Sequence, residues 1–367
     1  MMKTVAFSNF RGLHDIEIPL SNFTLLTGTN GVGKTSVLEG LYCLFSETHL
    51  DVSQLIRYNR TLNITFNQTT GVSGIHNAYN YKLFWDECPT HGELSCTVTA
   101  KTKKGFKWSW VYERVNAAHI DEKLLRDARL MGFQIDSSVD VAIFEWSGAD
   151  KNNDFNLIRG QILNTDGGLY LIPPENKSSS ACRFIDFASI RAMPQELPYR
   201  RAKKLVEALK IINPNITDIR ISKAENGLSV IMNDEREITL GALGNGVVTW
   251  ASTLITILEL VDMLNDANVA EIAKFILIDE IGAGIHYSVM VDIWKYIAGF
   301  VSAHPNIQFV ATTHNDECVK AFCEVFRNGT EASIVRLHKS IDKKIIPTEY
   351  TSAYFDTIAE GAWEVKG

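Results

Sequence analysis

The chain of 367 residues lacks several features that would have assigned its class at once. No run of residues is long and apolar enough to read as a membrane span. The most apolar long stretch, Val247 to Leu264, carries Glu259 and Asp262, which suits a buried amphipathic helix. The opening MMKTVAFSNFRG has no apolar core of a secretory leader, so a cytoplasmic protein is expected. Six cysteines occur, none in a C-x-x-C pair and none grouped with histidine at zinc spacing, which points to reduced thiols. Basic residues are outnumbered: 36 Lys and Arg against 43 Asp and Glu give a net charge of −7. A dedicated, tight DNA-binding domain is usually basic, so only a local basic groove is left open. Two stretches qualify: Lys101, Lys103, Lys104 and Lys107, and Arg200, Arg201, Lys203 and Lys204. The ordinary reading of such charge runs is a solvated face. No internal repeat and no sustained heptad is visible, so neither a solenoid nor a long coiled coil is expected.

What is present is an ordinary globular composition, 46% hydrophobic and 22% charged, ample for a core with one or two subdomains. One stretch organises it. Gly28-Thr29-Asn30-Gly31-Val32-Gly33-Lys34-Thr35 matches G-x-x-x-x-G-K-[ST] at every fixed position. Phe23 to Leu26 ahead of it reads as a short buried strand, and Ser36 to Phe45 behind it as a helix with apolar residues at helical spacing. Glycines let the backbone curl so that successive N–H groups point at an anion, and the helix N-terminus adds its positive dipole end. Lys34 supplies a charge for β- and γ-phosphates, and Thr35 a hydroxyl for Mg²⁺. The loop implies nucleotide binding without choosing between kinase, GTPase and ATPase.

Around this stretch the spacing predicts strands at Thr4 to Phe7 and Asp15 to Ile18, forming a hairpin before the phosphate loop. Arg11, between them, either reaches nucleotide phosphate or is a solvated turn arginine. Strand-like runs at 62–66, 81–85, 94–100 and 106–113 predict an antiparallel β-subdomain. A helix is expected over 118–132, a strand over Val141 to Trp146, and a polar connector over 147–182. Tyr199 to Ile212 reads as a helix, followed by short strands at 218–222, 228–232 and 237–240.

Three further motifs fit the same chemistry. Phe275-Ile276-Leu277-Ile278-Asp279-Glu280 is a buried strand ending in two carboxylates. Asp279 can hold Mg²⁺, and Glu280 can orient or deprotonate the water that attacks the γ-phosphate. Ile307 to Ala311 is a second buried strand, running into Thr312-Thr313-His314-Asn315. His314 can sense the γ-phosphate or cap the following helix. It lies 35 residues after Asp279, room for one helix at 288–301 and a βαβ unit that puts both residues at one sheet edge. Leu240-Gly241-Ala242-Leu243-Gly244-Asn245-Gly246 precedes the long helix and is either a second anion-binding helix start or a flexible turn.

Together these segments resemble the ATP-binding-cassette class of ATPase, and within it the RecF-, SMC- and OLD-type group. The resemblance is carried by VAFSNFRGLHDIEIPLSNFTLLTGTNGVGKT, LGALGNG, FILIDEIGAGIH and FVATTHND, and it weakens over residues 67 to 180. It implies an α/β fold: a head with a RecA-like parallel sheet core, an antiparallel β-subdomain and a helical signature subdomain. The expected division is 1–180, 181–265 and 266–367. Gly28 to Thr35 would be Walker A, Asp279 and Glu280 Walker B and the catalytic glutamate, Ile281 to His286 the D-loop, and His314 the switch histidine. Gly244, Asn245 and Gly246 would be the signature, closing over the ATP of a second subunit. The resemblance thus implies ATP with Mg²⁺, and a homodimer or an assembly of dimers. Only 53 residues follow His314, too few for the nuclease domain of OLD-type proteins. By analogy, the expected role is an ATPase controlling a separately encoded effector, a nuclease or toxin, in bacterial anti-phage defence. The alternative is a RecF-like repair ATPase acting on DNA.

Overall fold

The computed structural model describes residues 1–45, 63–67, 72–76, 95–102, 105, 107–116, 118, 122, 126, 140–149, 154–165, 168–172, 180–185, 197–222, 227–264, 273–328 and 331–361. The expected strand at 81–85, most of the expected helix at 118–132, Cys88, Lys103 and Lys104 lie outside these residues.

The chain opens with β1 (Met2–Ser8), β2 (Ile16–Pro19) and β3 (Phe23–Thr27), then α1 (Lys34–Phe45). The strands β4 (Asn63–Asn67), β5 (Val72–His76), β6 (Ser95–Thr102), β7 (Lys107–Asn116), β8 (Asp140–Ala149), β9 (Asp154–Thr165) and β10 (Gly168–Ile172) follow. With β1 and β2 they form an antiparallel sheet in the order β2-β1-β6-β7-β8-β9-β10-β5-β4. The expected hairpin and β-subdomain are therefore one continuous sheet. The connector expected over 147–182 is corrected here: it carries β9, β10 and the start of β11 (Ser180–Ile185). Alternation in Phe155-Asn156-Leu157 and Leu169-Tyr170-Leu171 outweighs the glycine and serine content, because side chains of period two suit a pleat.

The second half holds α2 (Tyr199–Leu209), then β12 (Ile216–Ser222), β13 (Gly227–Met232) and β14 (Glu237–Thr239) as a small antiparallel sheet, and α3 (Asn245–Leu264). It continues with β15 (Ala273–Ile278), α4 (Tyr287–Ala303), β16 (Ile307–Thr312), α5 (Asp316–Phe326), β17 (Ala332–Lys339), β18 (Ile345–Thr351) and α6 (Phe355–Ala359). The central sheet runs β11-β15-β16-β3-β17-β18, parallel except for the closing β17–β18 hairpin. The fold is α/β, with a parallel core sheet beside antiparallel ones.

Parallel strands buried on both faces need apolar residues in both phases, and these strands have them. Phe23, Leu25, Ile276, Ile278, Phe309, Ala311 and Ile334 pack into one core with α4 and α5. Leu26, Phe275, Leu277, Val310, Val335 and Leu337 pack into the other, with α1 and the β1–β2 end of the antiparallel sheet. Phe23 sits at the centre of the first, with ring centroids 5.4 Å from Trp294, 5.7 Å from Phe309 and 5.5 Å from Phe322. Buried Gln308 ties the two sheets: its Oε1 accepts from the Met2 N–H at 2.6 Å, and its Nε2 donates to the Met2 and Ser21 carbonyls. Burial pushes the Cys318 and Cys323 thiols up to about 12, so they remain protonated packing groups.

Candidate functional site

β3, β15 and β16 are parallel neighbours, so their carboxyl ends lie at one edge of the sheet. That edge is where ligands sit in open α/β sheets. β3 delivers the loop 28–33, β15 delivers Asp279 and Glu280, and β16 delivers Thr312 to His314.

The phosphate loop is fixed by glycines with distinct jobs. Gly28 has φ 137°, and a Cβ there would lie 2.2 Å from the Leu337 carbonyl oxygen of β17. A side chain would push the loop off its neighbour strand. Lys34 is buried, and its Nζ donates to the Gly28 carbonyl at 2.9 Å and the Thr29 carbonyl at 3.2 Å. Burial lowers its pKa, partly offset by the charges of Glu280 and Asp279. The lysine is folded back over its own loop, where the Gly28 and Thr29 carbonyl oxygens accept from it.

Thr35 donates to Asp279, with its Oγ1 3.2 Å from Oδ1 and 3.1 Å from Oδ2. Thr312, which sequence reading passed over, ties the two acids together. Its hydroxyl donates to Asp279 Oδ1 at 2.6 Å and accepts the Glu280 N–H at 2.8 Å. Its carbonyl accepts the Ile281 N–H at 2.8 Å. Glu280 needs this hold, because its φ of 54° is left-handed, a conformation that costs a non-glycine residue about 1–3 kcal/mol. The carboxylate then meets His314: Nδ1 donates to Oε2 at 2.5 Å, leaving Nε2 for another partner. A carboxylate only accepts, which fixes the direction of that bond. The reading of His314 as a helix cap is set aside: Asn315 caps α5, accepting from the N–H of Glu317 and of Cys318.

Next to this chain of contacts opens a cavity of about 630 Å³, within the size range of small-molecule sites. Asn30, Gly31, Gly33, Lys34, Thr35 and Glu280 line it. Arg11 lines it too, and it pairs with Glu39, a fully buried carboxylate on α1. Arg11 is thus anchored, and is not a solvated turn residue. Lys339, Lys343 and Ile345 from the β17–β18 hairpin complete the wall, a contribution that no sequence motif announced.

Two oxygen donors, the Thr35 hydroxyl and the Asp279 carboxylate, lie together beside the phosphate loop. This hard donor set suits Mg²⁺, which uses few protein ligands when phosphate oxygens and water supply the rest. Among the described residues no group of three His, Cys, Asp or Glu side chains forms a metal site of its own. Gly244 and Gly246 are not among the described residues that line the cavity. They begin α3 elsewhere, with Gly244 at φ 99°. A Cβ on Gly246 would lie 2.1 Å from the Gly284 carbonyl oxygen, so this helix start presses on residues 281–286 of its own chain.

Among the described residues no helix is long and apolar enough to cross a membrane. Residues 1–117 match the AAA ATPase domain family. A relative described as an ATP/GTP phosphatase, from Helicobacter pylori (strain ATCC 700392 / 26695), is 23% identical over 378 residues, covering 95% of each chain. A solved structure of the recombination mediator protein RecF is 10% identical, with a TM-score of 0.36, covering 95% of this chain and 98% of that one. Over its N-terminal third the chain is therefore similar to AAA ATPase domains, and that third holds β1 to β3, the phosphate loop and α1.

Proposed function

We propose that the protein hydrolyses ATP with Mg²⁺, and that two copies close on the nucleotide. The carrying observation is the unbroken chain Thr35–Asp279–Thr312–Glu280–His314 beside the phosphate loop. In this reading the loop 28–33 and Lys34 cradle the phosphates, and Thr35 with Asp279 hold the metal. Mg²⁺, when bound, neutralises charge on the β- and γ-phosphate oxygens. Glu280 takes the proton of the attacking water, and His314 positions that carboxylate. Gly244 to Gly246 of one copy meet the γ-phosphate held by the other. Closure is the output, passed to a separately encoded effector in anti-phage defence. The similarity to an ATP/GTP phosphatase supports the hydrolytic part.

Phosphate release from ATP tests it. Glu280→Gln is expected to slow turnover by about 10²–10⁴-fold while ATP still binds. Turnover at the parent rate in that variant removes Glu280 from its role.

One observation favours the alternative, direct action on DNA. Lys101 and Lys107 stand opposite each other across β6 and β7, both exposed. Like charges in register destabilise a sheet, so an anionic partner would relieve them. That reading expects DNA to stimulate hydrolysis steeply at low salt, and Lys101→Ala with Lys107→Ala to abolish the stimulation. DNA-independent turnover at every salt concentration disposes of it.

A further inference from the structure

The β17–β18 hairpin forms a wall of the nucleotide cavity that no phosphate-loop motif contains. β17 lies parallel beside β3, with Arg336 opposite Thr27, so both strands leave the sheet at the same edge. β3 continues into the phosphate loop and β17 into the turn at 340–344. The two strands of the hairpin touch the phosphate loop. The Leu337 carbonyl backs Gly28, and Ile345 Cδ1 lies 3.6 Å from where a Gly33 Cβ would be. The turn is set by its own hydrogen bonds: the Ser340 N–H donates to the Lys344 carbonyl at 2.8 Å, and the Lys343 N–H to the Ser340 carbonyl at 2.9 Å. Lys343 takes φ 61°, uncommon for a residue with a long side chain. A tight turn thus places Lys339 and Lys343 in the wall of the cavity that Lys34 also lines.

The charges lining that space are unequal. Arg11 is engaged by Glu39, and Lys34 by two loop carbonyls. Glu280 is the acid in the wall and is held by His314. Lys339 and Lys343 have no carboxylate partner among the described residues, and both are exposed. Two uncommitted lysines in the wall of a cavity that a phosphate loop also lines suit a polyanion.

We infer that Lys339 and Lys343 bind the phosphate chain of the nucleoside triphosphate, making the hairpin a second, non-motif half of the cradle. This rests on the nucleotide reading of residues 28–35. Lysines bind phosphate as flexible point charges, so the contact adds affinity and salt sensitivity without adding a reacting group. Neither residue is placed in the hydrolytic chain.

Titration of ATP, ADP and AMP onto the full chain tests it, with wild type, Lys34→Ala, and the double variant Lys339→Ala/Lys343→Ala. The double variant is expected to weaken ATP about tenfold, ADP less and AMP least, with a shallower dependence on salt. Its KM should rise with kcat nearly unchanged, and Lys339→Arg/Lys343→Arg should restore affinity. Equal losses for the three nucleotides would move the contact to base or ribose and overturn the phosphate assignment. Unchanged ATP affinity would overturn it outright. A wild-type chain that does not bind ATP, or a Lys34→Ala chain that binds as well as wild type, sinks the underlying nucleotide reading instead.

Discussion

The helices α1 and α3 both start on glycine-rich loops, and they differ in what the chain brings to them. α1 begins at Lys34, with Thr35 next to it and Asp279 within hydrogen-bond reach. α3 begins at Asn245, inside a stretch from Leu240 to Leu258 that contains no charged residue. Both offer backbone N–H groups and a dipole end, worth about 0.3–1 kcal/mol to an exposed anion. Only the first adds an ammonium and metal-binding oxygens. A bare helix start competes poorly with water for a free phosphate. It gains most from a phosphate already fixed by someone else's lysine. Our proposal pairs the equipped start of one copy with the bare start of the other.

The largest test of this contrast is Lys34→Ala. Nucleotide affinity is expected to fall about 100-fold or more, read with a fluorescent ATP analogue, because the cavity loses its buried cation. Residual tight binding through α3 would erase the distinction between the two starts. Thr312→Val comes next. The change keeps shape but strips the hydroxyl that serves Asp279 and Glu280, leaving a half-buried N–H without its acceptor. Turnover should drop about 10- to 100-fold with ATP affinity nearly preserved. Gly246→Ala probes the bare start. Its Cβ collides with the Gly284 carbonyl, so thermal unfolding should show about 1–3 kcal/mol of lost stability, with monomer ATP affinity unchanged. The smallest effect belongs to a third start, that of α5, which Asn315 closes with its own side chain. Asn315→Ala should cost about 1 kcal/mol in stability and leave nucleotide binding alone.

Much of the site was legible because its parts are local. A loop that must present N–H groups writes its glycines and lysine in eight consecutive residues, and a buried strand ending in Asp279-Glu280 announces its own polarity. The strands of the parallel core were legible for the same reason, since burial on both faces leaves continuous apolar runs. What stayed hidden is long-range. Thr312 is one threonine among many until β16 sets it beside β15. Lys339 and Lys343 carry no spacing signal, because the sheet order alone brings β17 next to β3. Arg11 was balanced between two readings until the fold supplied Glu39 as its partner. The stretch 147–182 forms strands rather than a connector because a short alternating pattern outweighs its glycine and serine content.

The measurement that bears most directly on the account is the structure of Glu280→Gln loaded with ATP and Mg²⁺. The account predicts two chains per particle, with Gly244 to Gly246 of each against the γ-phosphate held by Lys34 of the other. A single chain holding ATP, or a pair whose α3 starts lie away from both nucleotides, would contradict it.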